Sequence, residues 1–238
     1  MANKNDFKPP NLSAKDRAHS LVKVALSAIP TIGGPASELF AAIIIPPIEN
    51  RRQTWMEEVG KSLTELLSKN LVTYDDLSIN EIFLDTVLQA TQIAMRTTDK
   101  DKREALRNAI LNAALPSSLN ESLQLIFLEL IDQFTPWHLH LLKLLQNPAS
   151  WVKPHDNDNN LYYIHGISEI LERDFPELKG KSDFYDLIWG DLSQKRLVSI
   201  NNLHTVMTAK ELQEKRTTNL GDQFLQFIEN PEILDSAS

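Results

Sequence analysis

Residues 21–48 carry only two charges, Lys23 and Glu38, in 28 positions. No other stretch restricts the fold as strongly. A membrane span needs ~20 apolar residues in a row, and here the run is cut by Pro30, Gly33, Gly34, Pro35, Pro46 and Pro47. Proline restricts the residue before it, and glycine suits left-handed backbone. The pattern therefore predicts a helix from Ser13 or Asp16 to about Ala28, an irregular stretch over 29–35, and a second helix over 36–45, ~15 Å long. Together they make a tight apolar helical hairpin within 21–48. Burial at the centre of a bundle is the favoured fate of such a run. A protein interior can also offer Glu38 a partner, Lys23 or Arg51, which lipid cannot. The competing fate is contact with a partner groove or a membrane, through Ile29, Ile32, Leu39, Phe40, Ile43, Ile44 and Ile45.

After Pro46-Pro47 the spacing becomes amphipathic. A helix is expected over 47–69, with Trp55, Met56, Val59, Leu63, Leu66 and Leu67 inward. Ser78 and Glu81 read as a capping box for a helix to about Arg96, with Ile82, Phe83, Val87, Leu88, Ala90, Ile93 and Ala94 inward. Thr98 or Asp99 opens the next, with Ala105, Leu106, Ala109, Ile110 and Ala113 inward and Pro116 as its stop. Ser118 or Asn120 caps a further one, with Leu123, Ile126, Phe127, Leu130 and Ile131 inward. Thr135-Pro136 is a cap followed by a first-turn proline, and Pro148 ends that helix. Residues 151–160 are polar and without period, so they read as a linker. A helix over 161–173, a break over 176–180 and a Ser182-capped helix to 195 follow. Then come two short strands, 197–200 and 203–208, joined through Asn201-Asn202, and a Thr218-capped helix over 219–228. The expected fold is mainly α. A disordered arm (1–14) precedes a multi-helix bundle (15–150), and the linker leads to a small winged-helix-like module (161–230) and a tail (231–238).

Composition removes several chemistries. Without cysteine there is no disulfide, thiolate zinc site, iron–sulfur cluster or cysteine nucleophile, which fits a cytoplasmic protein. Seven glycines, about 3% against a usual ~7%, argue against glycine-loop nucleotide sites and for helices. A net charge of −8 opposes broad binding to nucleic acid. Residues 161–238 hold eight Lys+Arg and thirteen Asp+Glu, a net −5, and the helix that would read DNA carries Asp183, Asp186 and Asp191. His138 and His140 are two apart on a helix and point to different faces, so they make a poor chelate. Asp156, Asp158 and Asn160 resemble the start of a calcium loop, but Leu161 and Ile167 stand where its glycine and glutamate belong. No nucleophile elbow, P-loop or H-E-x-x-H is present. No enzyme activity, metal or cofactor is expected. Trp137 and Trp151 flank one short helix and are expected to clamp it by packing.

Three blocks carry a family likeness: 26–40 (LSAIPTIGGPASELF) with PPIENRR at 46–52, RNAILNAA at 107–114, and TPWHL at 135–139, joined by RTTNLGDQFL at 216–225. With them the chain resembles a widespread uncharacterised family of bacterial helical proteins, over about residues 20–230. Its layout is also similar to the abortive-infection alpha proteins of phage defence. The resemblance implies a helical fold and carries no site residues. The expected function is a non-enzymatic protein-interaction role, in phage defence or a stress response. The alternatives are a membrane-acting effector that releases 21–48, leaving the protein peripheral to the membrane, and a DNA-binding regulator. The partner expected is a protein, and an exposed apolar hairpin would also favour self-association.

Overall fold

The computed structural model describes residues 35–116, 119–151 and 166–231, and all of its regular structure there is helical. The arm 1–14, the first helix, the stretch 29–34, the linker beyond Trp151, the calcium-loop-like 156–160 and the residues after Pro231 lie outside the described residues. So do Ile29 and Ile32.

The first described helix, α1, runs Pro35–Ser68 without interruption. This corrects the expected break at Pro46-Pro47. Proline's fixed φ is itself helical, so two prolines can continue a helix while withholding two N–H donors. Leu39, Phe40, Ile43, Ile44 and Ile45 thus sit on the same rod as Trp55; their side chains lie outside the described residues. Although α1 has 34 residues, no helix among the described residues is long and apolar enough to cross a membrane.

A short helix follows, α2 (Tyr74–Ile79), started by a Thr73–Asp76 capping box. It absorbs Ser78, so the cap of α3 (Glu81–Arg96) is Asn80 rather than Ser78. Asn80 Oδ1 accepts from the Phe83 N–H at 3.0 Å. The starts of the next helices follow the expected chemistry: Asp99 caps α4 (Lys100–Ala114), Asn120 caps α5 (Glu121–Gln133), and Pro136 opens α6 (Pro136–Gln146). Helix α7 is Ile167–Asp174, and Gly180 takes φ 71° in the expected break. Lys181, not Ser182, is the cap residue of α8 (Ser182–Gln194). A single turn, α9 (Ala209–Leu212), leads to α10 (Asn219–Ile228), capped by Thr218 as expected.

The expected strands do not form among the described residues. Val198 makes an isolated antiparallel bridge to Thr217 instead of a hairpin with 203–208. The reason is burial: Leu197, Val198, Ile200 and Leu203 all enter the core. Alternation across a half-buried ribbon would have put some of them in water.

Helix α4 lies at the centre, packed against α1, α3, α5 and α10. Its alanines at 105, 109 and 113 recur every four residues, which lets neighbouring helices approach closely. One hydrophobic cluster runs from Trp55 to Ile228, through both expected units. The Phe127 ring meets Phe224 edge-on at 5.3 Å and Phe227 at 5.7 Å, tying α5 to α10. Trp55 is fully buried and its Nε1–H donates to Thr91 Oγ1 at 3.1 Å, tying α1 to α3. Met56, Leu88 and Ile126, expected inward, are exposed. Each sits at the edge of its helix's apolar stripe, where it is only partly covered.

Two asparagines fasten α10. Asn108 Nδ2 donates to the Ile228 carbonyl at 3.0 Å. The two amide hydrogens of Asn112 face the carbonyls of Asn108, Gln226, Phe227 and Glu229 at 2.8–3.3 Å. Gly221 lets α10 reach this depth, because a β-carbon there would lie 2.2 Å from the Leu197 carbonyl oxygen. Asn108→Ala leaves the Ile228 carbonyl buried without this donor. The variant is expected to lose about 1–3 kcal/mol in urea denaturation followed by circular dichroism.

Candidate functional site

Helices α6 and α8 pack through a polar link that begins with the local chemistry of α6. Thr135 is its cap residue, and His138 occupies the position where a capping box usually has glutamate. The Thr135 backbone N–H donates to His138 Nδ1 at 3.1 Å, and the Thr135 hydroxyl reaches the same nitrogen at 2.9 Å. With Nδ1 accepting, the proton belongs on Nε2, which faces Asp191 Oδ2 of α8 at 3.2 Å. The imidazole is 4% exposed and stacks on Phe134 at 4.6 Å. His138 therefore joins α5, α6 and α8 at one point.

Beside this link the seam between the two helices carries aromatic rings. Trp137 meets Phe175 edge-on at 5.2 Å and Phe184 at 6.3 Å. Trp151 lies 5.5 Å from Phe175. The expected clamp of Trp137 and Trp151 is thus made through a third ring, Phe175, from the break after α7. The rings are only partly covered: Trp137, Trp151 and Phe175 are half-buried, while Phe184 and Leu187 of α8 are 38% and 62% exposed.

The seam opens at His140 into a cleft of about 350 Å³ between α4, α6 and the end of α10. His140 Nε2 lies 3.2 Å from Asp101 Oδ2. Glu104, Lys143 and Glu229 share the wall. Burial pushes the Glu229 carboxyl above its usual range, with Lys143 pulling the other way. A second hollow of about 320 Å³, lined by Leu71, Ile82, Leu115 and Gln124, lies at the other end of α4.

Leu39, Phe40, Ile43, Ile44 and Ile45 all belong to α1. Arg51, expected as a partner for Glu38, donates to the Met95 carbonyl at 2.7 Å. His138 and His140 take separate acidic partners, Asp191 and Asp101. No group of His, Asp or Glu side chains among the described residues is arranged to hold a metal. Of the carboxylates on α8, Asp186 faces His204 at 2.9 Å and Asp191 faces His138. Sequence reading missed Phe175, Phe184 and the three cleft carboxylates. Phe175 beside Pro176, and Asp101 three residues before Glu104, were the available signals; neither names its distant neighbour. No family model, curated protein or solved structure matches the chain.

Burial holds the His138 pKa below the ordinary imidazole value, against the opposing pull of Asp191. As pH falls from 7 the unfolded chain takes up this proton first, so folded stability declines. The contribution is complete above the unfolded value of ~6.5 and is lost as pH falls through the lower folded value. Urea midpoints measured between about pH 7.5 and 5 should fall, and the fall should be shallower in His138→Gln.

Proposed function

We propose that this protein is a non-enzymatic interaction protein that docks a protein partner on the aromatic seam between α6 and α8. The observation that carries the reading is the set of ring side chains left partly uncovered there, Trp137, Trp151, Phe175 and Phe184, with Leu187 beside them. Aromatic residues in a water-accessible cluster are the usual anchors of protein interfaces. The layout likeness gives phage defence or a stress response as the setting. DNA is the poorer partner, because α8 presents Asp183, Asp186 and Asp191 to any phosphate that approaches. Immobilised wild-type protein should retain a partner from native lysate. Phe184→Glu should lose it with an unchanged melting temperature, and Ile126→Glu, on an exposed site elsewhere, should keep it. The same captured set for all three proteins sinks the proposal.

A membrane contact is the second reading, supported by the uninterrupted course of α1 through Pro46-Pro47. Among the described residues, α1 packs on α3 and α4. Arg51 and Trp55 are bonded to Met95 and Thr91 of α3. The chain runs antiparallel to α3 there, so residues 35–50 extend past the end of α3 by ~24 Å of helix. This reading expects wild type to co-float with phospholipid vesicles, and Phe40→Asp and Ile44→Asp to stay behind. Wild type that remains at the bottom of the gradient removes it.

A further inference from the structure

The aromatic seam and the acidic cleft are one continuous surface, because His140 belongs to both. Its ring lies 5.7 Å from that of Trp137 and 6.1 Å from that of Phe175, while its Nε2 faces Asp101. Beyond it the cleft is lined by three carboxylates, Asp101, Glu104 and Glu229, and one ammonium, Lys143; Asp101 also faces His140, and Glu104 lies 3.8 Å from the Arg107 guanidinium. Glu229 is drawn out of water at a wall where Lys143 is the cation that favours its charged form. A cation brought by a partner would restore what burial removes. At the opposite end of the seam Lys179 and Lys181 lie between Glu177 and Asp183 before Phe184, so that end carries both signs. The surface is therefore apolar along its middle and negative at the His140 end.

We propose that this surface takes a basic amphipathic segment of a partner protein, its apolar face on Trp137, Phe175 and Phe184 and its arginine or lysine side chains in the Asp101–Glu104–Glu229 cleft. The proposal rests on the docking reading above and adds the chemistry of the partner. Three physical terms act together. Apolar side chains cover the rings. A cation passing the ring faces of Trp137 and Phe175 is attracted by their quadrupoles. A guanidinium in the cleft makes charge-assisted hydrogen bonds to the exposed carboxylates of Asp101 and Glu104 and to that of Glu229, which is partly desolvated. The net charge of −8 favours encounter with a basic partner.

The test uses the full chain and two labelled helix-forming peptides of about four turns, with leucines along one face. One carries arginines on the other face, and the second carries glutamates. Fluorescence anisotropy should show the arginine peptide binding and the glutamate peptide not. Affinity should fall about tenfold between ~50 and ~300 mM salt. Glu104→Gln with Glu229→Gln should weaken binding about tenfold. Glu121→Gln with Glu129→Gln, on α5, should leave it unchanged. Trp137→Ala and Phe184→Ala should both abolish it, with melting curves confirming that each variant folds. No binding of the arginine peptide at low salt overturns the proposal, as does equal binding of the glutamate peptide or full affinity in the Glu104/Glu229 variant. If the glutamate peptide binds equally, or the Glu104/Glu229 variant keeps full affinity, while both ring variants lose binding, the docking reading survives and only the charge assignment fails. If the ring variants bind as wild type does, the seam itself is the wrong surface.

Discussion

A helix leaves its last four carbonyls without partners, and many helices meet that need locally with a left-handed glycine. This chain has seven glycines for ten described helices, so the need is met from a distance. The end of α3 receives Arg51 at the Met95 carbonyl, and the end of α4 receives Asn80 at the Ala113 carbonyl, 3.3 Å away. Lys102 donates to the Asp132 and Phe134 carbonyls at the end of α5, at 2.6 and 2.9 Å. The backbone N–H of Arg216 serves the Leu145 carbonyl in the last turn of α6 at 2.7 Å. Asn108 and Asn112 serve α10. Each donor belongs to a different segment from the carbonyl it serves, so closing a helix end also fixes how two segments sit together. Helix α4 supplies Lys102, Asn108 and Asn112 and is itself closed by Asn80, which makes it the organising element as well as the most buried one. Where left-handed backbone is used, Asn70 and Arg196 adopt it at φ 55° and 59°. The following N–H groups of Leu71 and Leu197 then reach back to the Leu66 and Leu192 carbonyls.

These long-range donors mark the boundary of what the sequence made legible. Helix starts were largely readable, because a cap and its acceptor lie within three residues. Asp99, Asn120, Thr135 and Thr218 stand where spacing put them. Ser78 misled because Thr73 and Asp76 begin a short helix upstream that consumes it. Pro46-Pro47 misled because a missing donor weakens a helix without forbidding its dihedrals. The strands at 197–208 misled because apolar residues there serve burial rather than alternation, and Val198 finds its bridge nineteen positions on, at Thr217. The RNAILNAA block was visible as a likeness, yet the use of its asparagines was not. Their acceptors lie more than a hundred residues away.

The candidate surface was hidden for the same reason. Trp137 and His138 were conspicuous in the sequence, but the seam exists only because α8 returns to α6, and nothing local fixes that return. The contact is set by His138, which faces back to its own helix cap through Nδ1 and across to Asp191 through Nε2. One neighbour in sequence, Trp137, is then turned to the seam, and His140, two residues on, reaches Asp101. A short stretch of α6 thus sends successive side chains to the core, the seam and the cleft, a division that follows from about 100° per residue.

Charge also changes meaning once it is placed. Much of the acidity of the C-terminal part is already engaged. Asp186 is held by His204, Asp191 by His138, and Asp222 by Lys215 and Thr217. Glu172 accepts from Tyr185, whose hydroxyl is pushed up to about 12, chiefly by burial and then by that carboxylate. Glu211 closes the capping box of α9. These carboxylates hold the fold. Of the cleft carboxylates, Asp101 meets His140 and Glu104 lies 3.8 Å from Arg107, while Glu229 is drawn out of water beside Lys143. Their positions are set by α4 and by the fastened end of α10, two of the most constrained elements in the chain. A surface built on such elements loses little freedom when it is covered, so contacts made there convert into affinity with a small ordering cost. The same donors that close the helix ends thereby fix the elements on which the proposed docking surface is built.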